Sequence, residues 1–218
     1  YTDSAVWSGS RNSLIMPIAI NGSGTITGVS VGGLPDGIVD TDMLAAGAVT
    51  AAKRGTGAIL QIQQTHLTTT SSQSLSANTL AEISGLSVSI TPVLSTSDML
   101  VFVRWNGEPS INANYNFVYG LRRDSTDIGN ASSSGDRRIG QAIIAQGYQS
   151  SDATSTPDSC YWSFLDTGRS SGTSEITYKA TVISGQAATL YNQRTANNLN
   201  TSDYELLTSN MVVMEVAA

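Results

Sequence analysis

Short apolar and alternating segments follow one another from Gly57 to the end of the chain, and turn-forming residues separate them. Within 115–122, Tyr115, Phe117 and Tyr119 alternate with other residues, as in a strand with one buried face. No long amphipathic helix pattern lies between the segments, which favours antiparallel sheets over a βαβ fold. The predicted strands lie at 58–62, 86–91, 99–105, 115–122, 141–146, 160–166, 175–183 and 211–216.

The segment 1–34 has a different pattern, in which small apolar groups are interrupted by glycine. Apolar residues in 14–16, 18–20 and 25–31 predict short strands that end at glycine turns. The segment contains too few bulky side chains for a core of its own. We therefore predict that 1–34 is an attachment segment that packs on sister chains or on another protein.

Between these regions, 35–56 contains a duplicated unit, because 36–45 aligns with 46–55 and glycine and valine recur in register. Each unit predicts a glycine turn, an extended pair, a capping Asp40 or Thr50 and one helical turn. A unit this short cannot bury its own apolar face. Neighbouring repeats or other copies of the chain must cover it, which predicts an oligomer.

A single helix over 41–53 is an equally good interpretation of the same residues. Asp40 would cap it, acids would lie at its N-terminus and bases at its C-terminus, and Gly55 would end it. In either form, the segment is a narrow connector between two β regions. The chain is thus predicted to be all-β, with an attachment segment (1–34), a connector (35–56) and a jelly-roll-like β-sandwich head (57–218).

The composition agrees with strands and restricts the partners. Charged residues make up only 13% of the chain, so neutral hydroxyl and amide groups must cover much of the surface. The formal net charge of −6 opposes a nucleic-acid partner, because phosphate backbones are bound by clustered Lys and Arg. The short basic pairs Arg122–Arg123 and Arg137–Arg138 are predicted to lie on the solvated surface.

Few residues are available for cofactor, metal or redox chemistry. Cys160 is the only cysteine and His66 the only histidine, so an intrachain disulfide and a thiolate metal cage are excluded. We predict a buried Cys160, a polar setting for His66, no cofactor and no metal. No apolar run of about 18 residues is present, which predicts no membrane insertion. The chain begins at Tyr1 rather than Met, which fits either processing or sequence upstream.

Four stretches resemble a known class of protein. The connector residues 33–55 are similar to the connectors of bacteriophage tail fibres, especially those of marine phages. Residues 57–63, 86–92 and 214–217 are similar to the β-rich C-terminal domains that follow such connectors. These domains share an overall pattern and no invariant motif, so the resemblance assigns no individual functional residue.

The resemblance implies a homotrimeric virion protein that is assembled in the host cytoplasm. Its N-terminal segment would dock to other virion proteins, and its C-terminal head would bind a glycan or protein on the host surface. A capsid decoration or head-fibre protein without a specific receptor is the alternative. A bacterial surface adhesin is a further interpretation of the same pattern.

A glycan depolymerase would need two carboxylates facing one groove. The acids Asp124, Asp127 and Asp136 lie beside Ser, Thr or Gly in predicted turns, where capping of nearby amides explains them. Glu108 and Glu175 have no identifiable partner in the sequence. No catalytic pair and no metal-ligand set are therefore predicted, and the protein is expected not to be an enzyme.

Aromatic residues in exposed loops are the best candidates for binding. Their rings stack on sugars, and their rims form hydrogen bonds. The polar stretches 149–159 and 193–203 are predicted exposed loops. Tyr148 and Tyr191 lie closest to them, and Arg194 follows Tyr191 in the same stretch. Tyr148, Tyr191 and Arg194 are therefore the predicted binding residues.

Overall fold

The chain consists of two compact units, Tyr1–Val49 and Thr50–Ala218. In the first unit, the antiparallel strands β1 (Ala19–Ile20) and β2 (Ile26–Thr27) pair with each other. The strands predicted at 14–16 and in the rest of 25–31 lie outside the described residues. The computed structural model describes 44–110, 117–133, 135–144, 155–170 and 172–218, together with the backbone of β1 and β2.

The second unit is built almost entirely of antiparallel strands, as the sequence predicts. None of the residues that the structure describes forms a helix long and apolar enough to cross a membrane. The strands are β3 (Ile59–Leu67), β4 (Ser71–Leu75), β5 (Leu80–Ile90), β6 (Asp98–Pro109), β7 (Phe117–Arg123), β8 (Thr126–Ile128), β9 (Asp158–Asp166), β10 (Ile176–Ser184), β11 (Ala188–Asn192) and β12 (Ser209–Val216).

These strands form two sheets. A four-stranded sheet has the order β5-β10-β7-β8, and a six-stranded sheet has the order β3-β12-β6-β11-β4, with β9 paired to β6. Strand β6 organises the second sheet, because 98–104 pairs with β12 while 107–109 pairs with β11. Its other edge pairs with β9 from Met99 to Gly107. The long strand therefore joins both halves of this sheet.

Both sheets contribute to one apolar cluster. In β6, Val101 and Trp105 are fully buried, and in β7 Tyr119 is fully buried as well. The Trp105 and Tyr119 rings lie 5.2 Å apart, and the Trp162 ring of β9 lies 5.8 Å from that of Tyr119. This aromatic group links the two sheets through side chains that alternate inward along each strand.

The connector contains only a single turn of helix among its described residues. A 3-10 turn covers Ala51–Lys53, after an extended Thr50 whose side chain makes no capping bond. The alternative of one continuous helix is wrong for the described part, 44–53. The glycine at 47 adopts a φ of 79°, which a right-handed helix does not allow.

Most of the predicted strands of the head are present, several of them with longer bounds. The exception is 141–146, whose described part, 141–144, makes only an isolated bridge from Ala142 to Tyr119. The polar strands β4 and β11 and the short β8 were not predicted. Strand β8 begins at Thr126, within the predicted turn, where the hairpin from β7 reverses at Asp124 with a φ of 53°.

Cys160 is buried in β9, as predicted, and its Sγ lies 3.5 Å from the carbonyl oxygen of Ile143. Burial raises the pKa of the thiol to about 12. The thiolate is the reactive form, so we expect the native thiol to be unreactive at pH 8. Labelling with a thiol reagent should be at least roughly a hundredfold slower in the folded protein than in urea. Equal labelling rates in the folded protein and in urea would show that β9 opens freely.

Candidate binding surface

Tyr191 is placed by β11, which lies between β4 and β6. Its neighbours Leu190 and Asn192 are fully buried, so Tyr191 faces the opposite side of the sheet and is only half-buried. Tyr191 pairs with Ser72 on β4 and with Glu108 on β6. The ring therefore lies on the side of the sheet away from the core.

The structure brings the predicted residues Tyr191 and Arg194 together. The guanidinium carbon of Arg194 lies 4.4 Å from the centroid of the Tyr191 ring, a cation–π contact. Arg194 Nη1 also donates to the carbonyl oxygens of Thr195 and Ala196, at 2.9 and 3.3 Å. The pair thus shapes the start of the following loop. The third predicted residue, Tyr148, lies outside the described residues.

The segment 193–208 connects β11 to β12 and is fixed at its base by buried polar groups. The Gln193 N–H donates to the Asn106 carbonyl at 2.9 Å, and Gln193 Nε2 donates to Ser209 Oγ at 2.8 Å. Leu207 N–H donates back to the Gln193 carbonyl at 3.1 Å. Gln193 is only 1% exposed, whereas the sequence predicted an exposed loop from this residue onward. The buried base holds the rest of the loop in one position.

Glu108 adds a further anchor to this loop. Its carboxylate Oε2 accepts a hydrogen bond from the Ala196 N–H at 2.6 Å, and the residue is 2% exposed. The sequence analysis found no partner for Glu108, and that interpretation was wrong. The partner lies far along the chain, so only the fold brings the two groups together.

The exposed part of the loop encloses a cavity of about 240 Å³. Amide, hydroxyl, carboxylate and phenol groups line it beside two leucines, Leu199 and Leu206, which are 52% and 68% exposed. This mixture suits a small neutral polar ligand such as a sugar or a peptide segment. The polar lining residues are Thr195, Asn198, Asn200, Thr201, Tyr204 and Glu205.

Tyr204 is the only aromatic residue of this lining. Its hydroxyl lies 3.2 Å from Asn197 Nδ2, which links the two sides of the loop. Asn198 and Glu205 had no distinguishing signal, because polar residues fill the whole stretch 193–203. The length of this polar stretch does indicate a binding site in general terms, since long loops on a rigid scaffold often bind ligands.

Two other acids have structural partners within the head. Asp166, 2% exposed, accepts two 2.8 Å hydrogen bonds from Arg123 Nη1 and one of 2.7 Å from the Tyr178 hydroxyl. Arg123 is therefore not purely solvated surface, which corrects that part of the sequence analysis. Glu215 is fully buried at the end of β12 and accepts hydrogen bonds from the 93–97 turn. Both carboxylates are engaged in holding strands and turns together.

No group of three or more His, Cys, Asp or Glu side chains in the described part of the chain is placed to hold a metal ion. His66 lies exposed on β3 opposite Asn210. Comparison with known proteins adds no further assignment, because the chain matches no protein-family model and no curated protein. The residues of the loop cavity therefore provide the basis for a functional proposal.

Proposed function

We propose that the chain is a structural virion protein, a bacteriophage fibre that assembles as a homotrimer with a β-sandwich head. The similarity of the connector 33–55 to those of phage fibres supports this proposal. The two antiparallel sheets of the head share one apolar cluster, which supports a sandwich of the two. The N-terminal segment docks to other virion proteins, and the head faces the host.

The head binds the host surface through the loop cavity. The observation that carries this proposal is an exposed loop with amide, hydroxyl and aromatic lining whose base is fixed by buried Gln193. A cavity of about 240 Å³ fits one or two sugar rings or a short peptide segment, so a single contact would be weak. Three copies on one fibre raise the overall affinity through avidity.

Binding of the fluorescently labelled chain to an array of bacterial surface glycans tests this function. We expect a subset of glycans to retain the protein. Tyr204→Ala should lower the retained signal at least tenfold, because the stacking surface is lost. Glu205→Gln should lower it less, because the side chain keeps its shape and one acceptor.

Glu175→Gln serves as the matched control, since Glu175 is exposed and lies outside the loop. Its signal should equal that of the wild type. Retention that does not change in Tyr204→Ala would place the binding site elsewhere on the protein. Absence of retention on any glycan or on cell-surface protein would instead support a decoration role without a receptor.

A further inference from the structure

One side of the six-stranded sheet faces away from the apolar cluster and carries a second apolar patch. In β12, Met211 and Val213 point into the core, so Val212 and Met214 point outward. A solvated antiparallel sheet normally alternates between apolar residues inside and polar residues outside. Strand β12 breaks this rule along its central residues.

The register extends this pattern over neighbouring strands. Met214 lies opposite Leu100 on β6 and Ile62 on β3, and Leu100 lies opposite Leu165 on β9. Directly paired residues share one face of a sheet, so these residues form a row across β3, β12, β6 and β9. In the next row, Val212 lies opposite Phe102, and the ends of this row are the polar residues Gln64 and Ser163. We call this surface the outer face; its apolar residues are Ile62, Leu100, Phe102, Leu165, Val212 and Met214.

Large apolar side chains on the outer face are in contact with solvent. Ile62 is 53% exposed, Leu165 is 46% exposed and Phe102 is 42% exposed. A shallow cavity of about 330 Å³ lies beside Phe102, between Tyr161 and Asn210. Single exposed apolar residues are common, but a continuous patch across adjacent strands is typical of an interaction surface.

The outer face carries almost no charge, although the chain as a whole has a formal net charge of −6. The rows of Met214 and Val212 contain no charged residue, and the two rows that flank them contain one each, Asp98 opposite Val216 and Arg104 opposite Asn210. Two copies of an acidic chain repel each other through most of their surfaces. On the outer face the two flanking charges are of opposite sign, so two copies meet there without net like-charge repulsion, and a second copy of this chain is the partner that fits it.

We propose that the outer face is the surface through which the heads of neighbouring copies pack in the assembled protein. This inference rests on the homotrimer of the proposed function and identifies its contact. Three outer faces directed toward a threefold axis bury Phe102, Leu100 and Met214 in a common apolar core.

The size of the outer face determines how much of the interface between two copies it can supply. Four strands at a spacing of about 4.8 Å, with about six residues each at about 3.3 Å, give a footprint of roughly 400 Å². One partner in a standard stable interface buries about 800 Å². The face thus supplies roughly half of such a contact.

Light scattering of the full chain, with and without a charge placed on the outer face, tests the inference. Phe102→Asp and Leu165→Asp each place a carboxylate on the face at a partly exposed position that the fold tolerates. Each should weaken association at least a hundredfold, because the carboxylate would be desolvated on assembly. Ile143→Asp is the matched control, since Ile143 is 60% exposed and lies outside this sheet. Far-ultraviolet circular dichroism shows whether each variant is folded.

The possible results distinguish a failure of the outer-face inference from a failure of the proposed trimeric fibre. Dissociation of both face variants, with an intact trimer for Ile143→Asp, supports the inference. A wild-type trimer that persists in both folded face variants overturns the inference and leaves the trimeric fibre standing. A wild-type dimer that dissociates in the face variants supports the outer face but contradicts the trimer. A monomeric wild type overturns both.

Discussion

Replacing Glu215 with alanine is expected to destabilise the head by about 3–5 kcal/mol, because it breaks a buried, fully hydrogen-bonded carboxylate site. The Val93 and Leu94 N–H groups lie 2.8 and 2.9 Å from Oε1. The Ser97 hydroxyl donates to Oε1 and Gln61 Nε2 donates to Oε2, both at 2.6 Å. Without the carboxylate, several of these N–H and O–H donors would be buried without a hydrogen-bond acceptor.

The loss should be measured as the free energy of unfolding in urea at one fixed protein concentration, since association couples to unfolding. Glu175→Ala is the control, because Glu175 is exposed, and it should change stability by less than about 0.5 kcal/mol. A loss below about 1 kcal/mol in Glu215→Ala would show that water replaces the carboxylate and that the 93–97 turn does not depend on it.

The environment of Glu215 also determines how its contribution to the stability of the head depends on pH. Burial alone would raise the pKa of Glu215, but hydrogen bonds from Leu94, Ser97 and Val93 hold it below its ordinary value. A pKa lower in the folded than in the unfolded state contributes stability above the unfolded pKa, and this is lost as the pH falls through the folded pKa. The difference between the wild type and Glu215→Ala should therefore shrink in acid.

Trp105→Ala is expected to cost about 3–5 kcal/mol, through the loss of a large buried ring and the cavity that it leaves. Trp105 is fully buried, lies 5.2 Å from the Tyr119 ring and donates from Nε1 to Asn192 Oδ1 at 2.7 Å. Because small domains have only about 5–15 kcal/mol of stability, the variant should lose a large part of it and unfold at a clearly lower temperature than the wild type.

Trp105→Phe separates packing from hydrogen bonding. It keeps most of the ring and leaves Asn192 without its donor, so the expected loss is about 1–2 kcal/mol. Thermal unfolding of both variants gives the comparison. If Trp105→Ala unfolds with the same midpoint as the wild type, Trp105 does not connect the two sheets as described.

The sequence predicted strands where apolar residues alternate or run together, as in β6, β7 and β12, because side-chain burial there decides the local structure. It did not predict β4, the polar segment Ser71–Leu75, which has only one buried residue. This strand is held by its pairing with β11, which lies far along the chain, and by Gln73, which binds the Ser84 N–H at 3.0 Å and the Glu82 carbonyl at 2.6 Å. Such partners have no local signal.

The opposite error occurred in 141–144, where an apolar pattern predicted a strand. Ile144 is buried and Ile143 is 60% exposed, but the segment joins the four-stranded sheet only through the bridge from Ala142 to Tyr119. An apolar run does not decide which backbone pairs with it, and here it does not bury every apolar residue either. In this segment, the pairing of the backbone in the folded protein decided the local structure.

For the binding surface, the sequence predicted Tyr191 and Arg194 but not their relation to each other. Their cation–π contact depends on the left-handed Gln193 between them, with a φ of 61°, which reverses the chain after β11. The loop cavity is lined by the single segment 195–206, whereas the outer face combines residues that are far apart in the chain. A single sequence contains the side chains of such sites, whereas the strand register brings them together.

Self-association of the chain is the claim on which the fibre, the avidity and the outer face all depend. Multi-angle light scattering of the isolated full chain at micromolar concentration measures it directly. A mass three times that of one chain is the predicted result. A mass of one chain, unchanged as the concentration is raised tenfold, would contradict the account.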